Sequence, residues 1–535
     1  MSNNKTGNWI RIAVVLASTV AISHTAAKAG EVMLQMKGGE FSVKGEIKSF
    51  DGAKYQIESK SFGVMSLDAT RFECIGKDCP KGAKNAAAVS AAQGGNLGVA
   101  TWAGGSAQGT QVMPKLIQAY AATIGANVTR TIGADPKNLE FKLSDAAGKE
   151  IGTFNVNRQG VPSGLAGLEQ KTVDAVWSAR PLTPEEQRKG EASGLGNLRS
   201  PENEHIYALN AMVVVVAPEN PAVSISIENV AKIYAGQIKD WSELGLPPGK
   251  INVYAMVQTS GYWGAFEEMV LKPRNLAAAG DIVRIENATE WSDKVTQDRN
   301  GIGITSIGLT RNAKAMNIES SCGLITRAST FLAKTEEYPL THRLHLYTAG
   351  APRAPLAREL LSFALSPKMQ AVLKDANFVD QSPEGLDFQG QTTRIAYALN
   401  AAGPDFDLNL MKTLISELKP ASRLTTTLRF ETGNFALDTK ATADVVRLRT
   451  LLESDEYKNK TVMLAGFADG VGRFDSNLAL SQKRAATVLA ALQRAGSKPI
   501  QANVVTKAYS QLAPVACNDT LEQRSFNRRV EVWVK

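Results

Sequence analysis

The chain has 535 residues, 44% of them hydrophobic and 21% charged, enough for two or three separate globular cores. Its formal charge of +8 is not gathered into a basic cluster or recognition motif. Nucleic acid is therefore excluded as an expected partner, and a weak bias toward anionic solutes or an anionic envelope remains.

Residues 1–29 read as an export signal. Lys5 and Arg11 precede the apolar run 12–22, and Ala27-Lys28-Ala29 fits the small-residue cleavage rule, so cleavage is expected near Ala29. The run is too short to span a bilayer. Removing Lys5, Arg11 and Lys28 lowers the formal charge from +8 to +5. Residues 30–80 alternate apolar and polar positions, at Val32, Leu34 and Met36 and again at Ile47, Tyr55 and Ile57, with Asp51-Gly52 as a hairpin turn. This alternation predicts a small β-module. Cys74 and Cys79 are five positions apart, a spacing that suggests a local disulfide in an exported protein. Whether Cys322 and Cys517 pair is open at this point. Residues 81–96, rich in Ala and Gly, read as a linker.

From Val99 onward strands alternate with helices, which predicts a mostly parallel sheet covered on both faces. Three serines stand at predicted helix starts: Ser106 ahead of a helix over 112–124, Ser163 beside Gly164, and Ser260 beside Gly261 ahead of a helix over 263–271. Backbone N–H groups and hydroxyls at helix starts suit an anion, and three such starts converging between two lobes form the expected site. Trp102, Trp177, Tyr262 and Trp263 lie near these loops, either as walls for a larger ligand or as core aromatics. His342 and His345 are three apart in a predicted strand and face opposite sides, so no metal site is expected. A nucleophile elbow and a phosphate-cradling loop are both missing from the sequence, so no catalytic residue and no cofactor is expected. Residues 381–423, with a helix over 407–418, read as a connector.

Near the C-terminal end, a short apolar run over Thr461–Gly466 predicts a strand, with Asp469 just beyond it. Ser476 or Asn477 is expected to cap a helix whose Ala485, Val488, Leu489 and Leu492 form an apolar stripe. Asn477, Ser481 and Arg484 are spaced by four and three and share another face. A carboxylate and a guanidinium flanking one cleft suit a zwitterion, the first taking an ammonium and the second a carboxylate.

Two family resemblances give these patterns a direction. Residues 97–380 carry SARPLTPEE, VVVVAPENPAVSISIENVAKIYAGQIKDWSELG, SGYWGAF, IGITSIG and YPLTHRLHLYT, and resemble a periplasmic solute-binding protein of the phosphate-binding, PstS-like type. The resemblance implies a two-lobed fold in which Ser106, Ser163 and Ser260, with backbone amides at Gly164 and Gly261, donate to phosphate, and it places Arg180 at the ligand cleft. The sequence departs from the family before Ser260, where Met256, Val257 and Gln258 replace the usual Arg and Asp, and after Gly261, where Tyr262 replaces Thr. Residues 424–535, from LRFETGNFALD to NRRVEVWVK, resemble an OmpA-like peptidoglycan-binding domain. That resemblance implies that Asp469 and Arg484 hold the two ends of the diaminopimelate side chain in the wall peptide, with Asn477 and Arg528 in or beside the pocket. Ala468 stands where the family usually has Thr.

The expected chain is an α/β multidomain protein: a small N-terminal β-module, a type II-like two-lobed periplasmic-binding-protein fold, and a C-terminal α+β OmpA-like domain. The expected function is that of a non-enzymatic periplasmic solute receptor, tied to the cell wall or outer membrane through peptidoglycan, for phosphate or a related anion. The alternatives are an envelope structural protein with a degenerate solute domain, and a binding component that delivers phosphate to an ABC permease.

Overall fold

The computed structural model describes residues 31–36, 42–50, 54–59, 63–69, 72–76, 79–80 and 96–535, apart from 134, 259, 401, 404–405, 431–435 and 497–498. The expected signal with its Ala29 cleavage, the Asp51-Gly52 turn and residues 81–95 of the expected linker lie outside the described residues.

Alternating side chains make the first sheet one-sided. Five antiparallel strands stand in the order 63–68, 54–59, 42–50, 31–36, 72–75. Val32, Leu34, Val43, Tyr55 and Ile57 fill one face of it, as the period of two requires. Cys74 and Cys79 are bonded at its edge.

One long sheet organises residues 97–380. Its strands run in the order 283–285, 252–256, 301–306, 204–216, 341–347, 175–178, 99–104, 150–157, 138–144, 127–132. The expectation of a mostly parallel sheet is corrected. Parallel pairing is confined to two groups, 252–256 with its neighbours 283–285 and 301–306, and 99–104 with 150–157 and 175–178. The strands between and beyond these groups are antiparallel. The reason is that Glu204–Val216 and Thr341–Tyr347 run as a long pair from one lobe to the other. Each lobe keeps its own core: Trp102, Leu116, Phe154 and Leu360 belong to one, and Val214, Tyr234, Trp263 and Val295 to the other. Trp102, Trp177, Tyr262 and Trp263 are all buried, so these aromatics pack the lobes.

The last sheet shows how period-two alternation serves two layers at once. Strands 385–386, 422–429, 529–534, 461–466 and 503–508 stand in that order, the last two parallel. Val462, Leu464, Val530 and Val532 face helices Thr439–Leu452 and Phe474–Arg494. Met463, Ala465, Phe467 and Trp533 face the other way, against Ile395, Met411 and Leu414 of helices Thr392–Asn400 and Leu408–Leu418. Residues 381–423, read from sequence as a connector, therefore supply an edge strand and the layer that covers the second face of this sheet.

This sheet and the two lobes are joined by a dense polar interface. Cys322 and Cys517 form a disulfide. Lys334, with its side chain 2% exposed, pairs with Asp380 at 2.9 Å and Glu384 at 2.6 Å. Arg343 joins Glu336 and Asp438, and fully buried Arg423 joins Glu337 and Glu531. Burial of charges on this scale is tolerated only when each finds a partner. Among the described residues no helix is long and apolar enough to cross a membrane.

Candidate functional site

Two sites emerge, one in each part of the chain. In the solute lobes, strand Val99–Gly104 ends at Gly105, whose extended backbone precedes helix Ser106–Gln111. The indole of Trp177 donates to Gly105 O at 2.8 Å and pins this loop. The Gly160 N–H donates to Gly104 O at 2.9 Å, which sets the start of helix Val161–Glu169 beside the first helix start. The third start is capped by Ser260, whose hydroxyl accepts from Tyr262 N at 3.2 Å and keeps its own proton free to donate. The expected helix over 263–271 begins two residues earlier, at Gly261, and changes to a π-helical turn over Glu267–Leu271.

The first and third starts face each other across the lobes. A Cβ on Gly261 would lie 2.7 Å from the Ala107 Cβ, so only glycine permits this approach. Tyr262 OH donates to Gln111 Oε1 at 2.9 Å, a hydrogen bond from one lobe to the other. Ser106 is exposed at its helix start, and Ser163 donates to Gln159 Oε1 at 3.4 Å. Gly164 serves packing: a Cβ there would meet Val176 at 2.9 Å and Ala103 at 3.2 Å.

Arg180 is paired with a carboxylate of the helix that follows it. Both its terminal nitrogens are bound to Glu186, at 2.7 and 2.8 Å, and Nη1 also reaches Pro181 O. That bidentate pairing takes up the Nη1–Nη2 edge of the guanidinium. Two cations without a sequence signal as plain as that of the serines touch the helices that follow the first and third starts. Arg158 follows strand Glu150–Asn157 and donates to Thr110 Oγ1 at 2.8 Å. Arg284 lies over the Trp263 ring at 4.0 Å and donates to Met256 O at 3.0 Å. The signal for Arg158 was its place between a strand and the Gly-Val-Pro-Ser-Gly opening of a helix. Arg284 had none, because its neighbour Met256 is distant in sequence.

The second site lies past strand Thr461–Gly466. Asp469 Oδ1 accepts from Val471 N at 3.1 Å, and Oδ2 accepts from Arg528 Nη1 at 2.9 Å. Asn477 Nδ2 donates to Asp469 O at 3.1 Å and to Gln511 Oε1 at 2.8 Å. The expected cap at Ser476 or Asn477 is corrected. The helix starts at Phe474, with Arg473 at the capping position and no side-chain cap. Asn477 therefore lies inside the first turn, where its amide can hold the Asp469 loop.

Asn477, Ser481 and Arg484 are all buried on one helix face. Arg484 is 2% exposed, lies over the Phe430 ring at 5.6 Å, and has one long hydrogen bond, from Nη1 to Phe467 O at 3.4 Å. Its Nε has no partner among the described residues. Burial and then the neighbouring Arg528 charge pull its pKa down to about 10, against the opposing pull of Asp469, so it stays charged at neutral pH. One carboxylate and two guanidiniums thus share a pocket in which a buried cation has unfilled donors. A ligand carboxylate would fill them, and a ligand ammonium would compete with Arg528 for Asp469.

Comparison with known proteins agrees with this division. Residues 98–368 match a family model described as PBP superfamily domain, and residues 429–528 match that of the OmpA family. The chain is 24% identical over 230 residues to the phosphate-binding protein PstS of Borreliella burgdorferi, covering 41% of this chain and 77% of that protein. It is 38% identical over 75 residues to outer membrane protein A of Bordetella avium, covering 14% of this chain and 38% of that protein. A crystal structure of PstS from Borrelia burgdorferi is similar with a TM-score of 0.39 at 20% identity, over 53% of this chain and 98% of the other.

Proposed function

Because the chain belongs to the PBP superfamily and carries an OmpA family domain, neither an enzyme family, we propose that it is a peptidoglycan-held envelope receptor for phosphate or a related oxyanion. The observation that carries the wall attachment is the buried Arg484 with unfilled donors near Asp469, a charge pair suited to the two ends of a diaminopimelate side chain. The solute reading is supported by the helix starts at Ser106 and Ser260 facing each other at the lobe boundary. Arg158, which donates to Thr110 and to Lys137 O, and Arg284, over Trp263, are the cations on the helices that follow these starts.

The test uses the full chain. Calorimetric titration with phosphate, sulfate and a phosphonate should show saturable binding of one of them, and a flat response to all three overturns the solute reading. Co-sedimentation with purified peptidoglycan should be saturable, competed by meso-diaminopimelate, and lost in Asp469→Ala. Sedimentation equal to wild type in that variant overturns the wall reading.

A second reading has a specific observation in its favour. Tyr262 spans the lobes to Gln111 and Arg180 is held by Glu186, features of a cleft closed by its own side chains and used as a platform for protein partners. A flat titration selects it. Delivery to an ABC permease is a third use of such a domain, and the extensive docking of the lobes on the anchor restricts the reorientation that delivery needs.

A further inference from the structure

The solute domain does more than hang from the wall-binding domain; it touches the loop that builds the wall site. Cys322 lies in a tight turn in which Gly323 N donates to Ser320 O and Ser320 N to Leu324 O, both at 2.9 Å. This turn belongs to the lobe that contains strands 317–319 and 325–326. Its disulfide reaches Cys517, and Ser321 Oγ donates to Asp519 Oδ2 at 2.7 Å. Between those two attachments stands Asn518. Its Oδ1 accepts from Gly470 N at 2.9 Å and from Asn527 Nδ2 at 3.0 Å, and its carbonyl accepts from Arg524 Nη1 at 3.2 Å. Gly470 directly follows Asp469, and Arg528, the partner of Asp469, directly follows Asn527.

We propose that the wall-peptide site is shared between domains, with the Ser320–Gly323 turn of the solute lobe acting through the Cys322–Cys517 bond to hold Asn518, and Asn518 to position Asp469. This rests on the wall-binding reading given above and adds to it a positioning residue outside the ligand-contacting set. The physical reason is local. Residues 516–519 join the last part of the loop after strand Asn503–Ala508 to the short helix Leu521–Asn527, and one flank of Asp469 rests on that loop. Two anchors to another domain restrict its conformers before ligand arrives, so less ordering cost falls on binding. Without them, the Asn518 Oδ1 meets the Gly470 N–H in a smaller share of conformers.

The test measures affinity of the full chain for peptidoglycan and for meso-diaminopimelate at a temperature where every variant remains folded by circular dichroism. Cys322→Ser/Cys517→Ser is expected to weaken both about five- to tenfold. Asn518→Ala, with the disulfide intact, is expected to weaken both by a similar factor. In both variants exchange of the Gly470 amide should accelerate, while that of the Val462 and Leu464 amides in the sheet core stays as in wild type. If the disulfide were purely stabilising, its loss would lower the melting temperature and leave affinity and Gly470 exchange unchanged, and that result overturns the proposal. Equal binding by Asn518→Ala and wild type also overturns it. Asp469→Ala separates the two levels: retained binding there removes the wall reading itself, whereas lost binding there with unaffected disulfide and Asn518 variants removes this inference alone.

Discussion

At the scale of single residues, the surroundings of Asp469 are governed by an asymmetry between two arginines. Arg528 already has Asp469 as its partner, whereas Arg484 is buried with unfilled donors. Removing a buried cation that pairs with a ligand carboxylate costs about 2 kcal/mol or more, so Arg484→Ala should weaken peptidoglycan binding about 30-fold or more in a sedimentation isotherm. Unchanged binding would place the ligand elsewhere. In the other site, Tyr262→Phe removes the bond to Gln111 and keeps the ring. A neutral hydrogen bond contributes about 1 kcal/mol, so the closed arrangement should lose roughly fivefold in population, read as faster hydrogen exchange over residues 106–111. The residue roles divide in legibility for a physical reason. That Asn477, Ser481 and Arg484 share one buried face was readable because a helix repeat brings four- and three-spaced residues together, and Asp469 was singled out by its place just past a strand. The pairing of Arg180 with Glu186 was not readable, because Glu186 is placed by local capping geometry around Thr183, which spacing alone does not reveal.

At the scale of elements, close approach decides what each helix start tolerates. Helix Val161–Glu169 lies so near strand Ala175–Ser178 that Gly164→Ala would press a methyl against the stiff, β-branched Val176. Overpacking of this kind costs about 1–3 kcal/mol, to be read as a lower midpoint in chemical denaturation, and an unchanged midpoint would mean that the helix shifts freely. The strand Thr461–Gly466 and the helix behind it were legible from apolar periodicity. The covering layer formed by 392–400 and 408–418 was not, since amphipathic helices do not state which sheet face they will cover. The long antiparallel pair 204–216 and 341–347 was likewise hidden, because alternation of strands and helices does not report the direction of partners distant in sequence.

At the scale of the whole molecule, the two functional parts are held by buried charge and one cross-link. Burial pushes the Glu336 carboxyl up, but Arg343, Lys440 and Arg429 outweigh it and hold the group well below the usual carboxylate range. A carboxylate depressed in the folded state contributes stability that is complete above its unfolded pKa, about 4.3, and is lost as pH falls below that value. Acidification from pH 7 should therefore leave the interface intact to about pH 5 and weaken it progressively below pH 4; melting followed across that range checks the sign, and a rise in stability on acidification would contradict it. The Cys322–Cys517 bond closes a loop of 195 positions, and the chain-entropy model gives such a closure on the order of 5 kcal/mol. Reduction of the full chain should accordingly lower its thermal midpoint, with a larger shift than loss of the Cys74–Cys79 bond, whose separation is 5.

Local pattern was enough for the classes of structure: a β-module with its cysteine pair, a strand-and-helix region with serines near helix starts, and a C-terminal sheet-and-helix unit with a carboxylate and a guanidinium on adjoining elements. These are local properties, set by side-chain period, turn residues and helix spacing. Tertiary packing was needed to show that Cys322 meets Cys517, that Arg180 pairs with Glu186, that Arg284 lies over Trp263, and that Ser321 reaches Asp519 beside the Asn518 that holds Gly470. Each depends on residues far apart in the chain or on a competing partner, and a pairing of that kind is fixed by packing and charge burial across the fold, which no local pattern encodes.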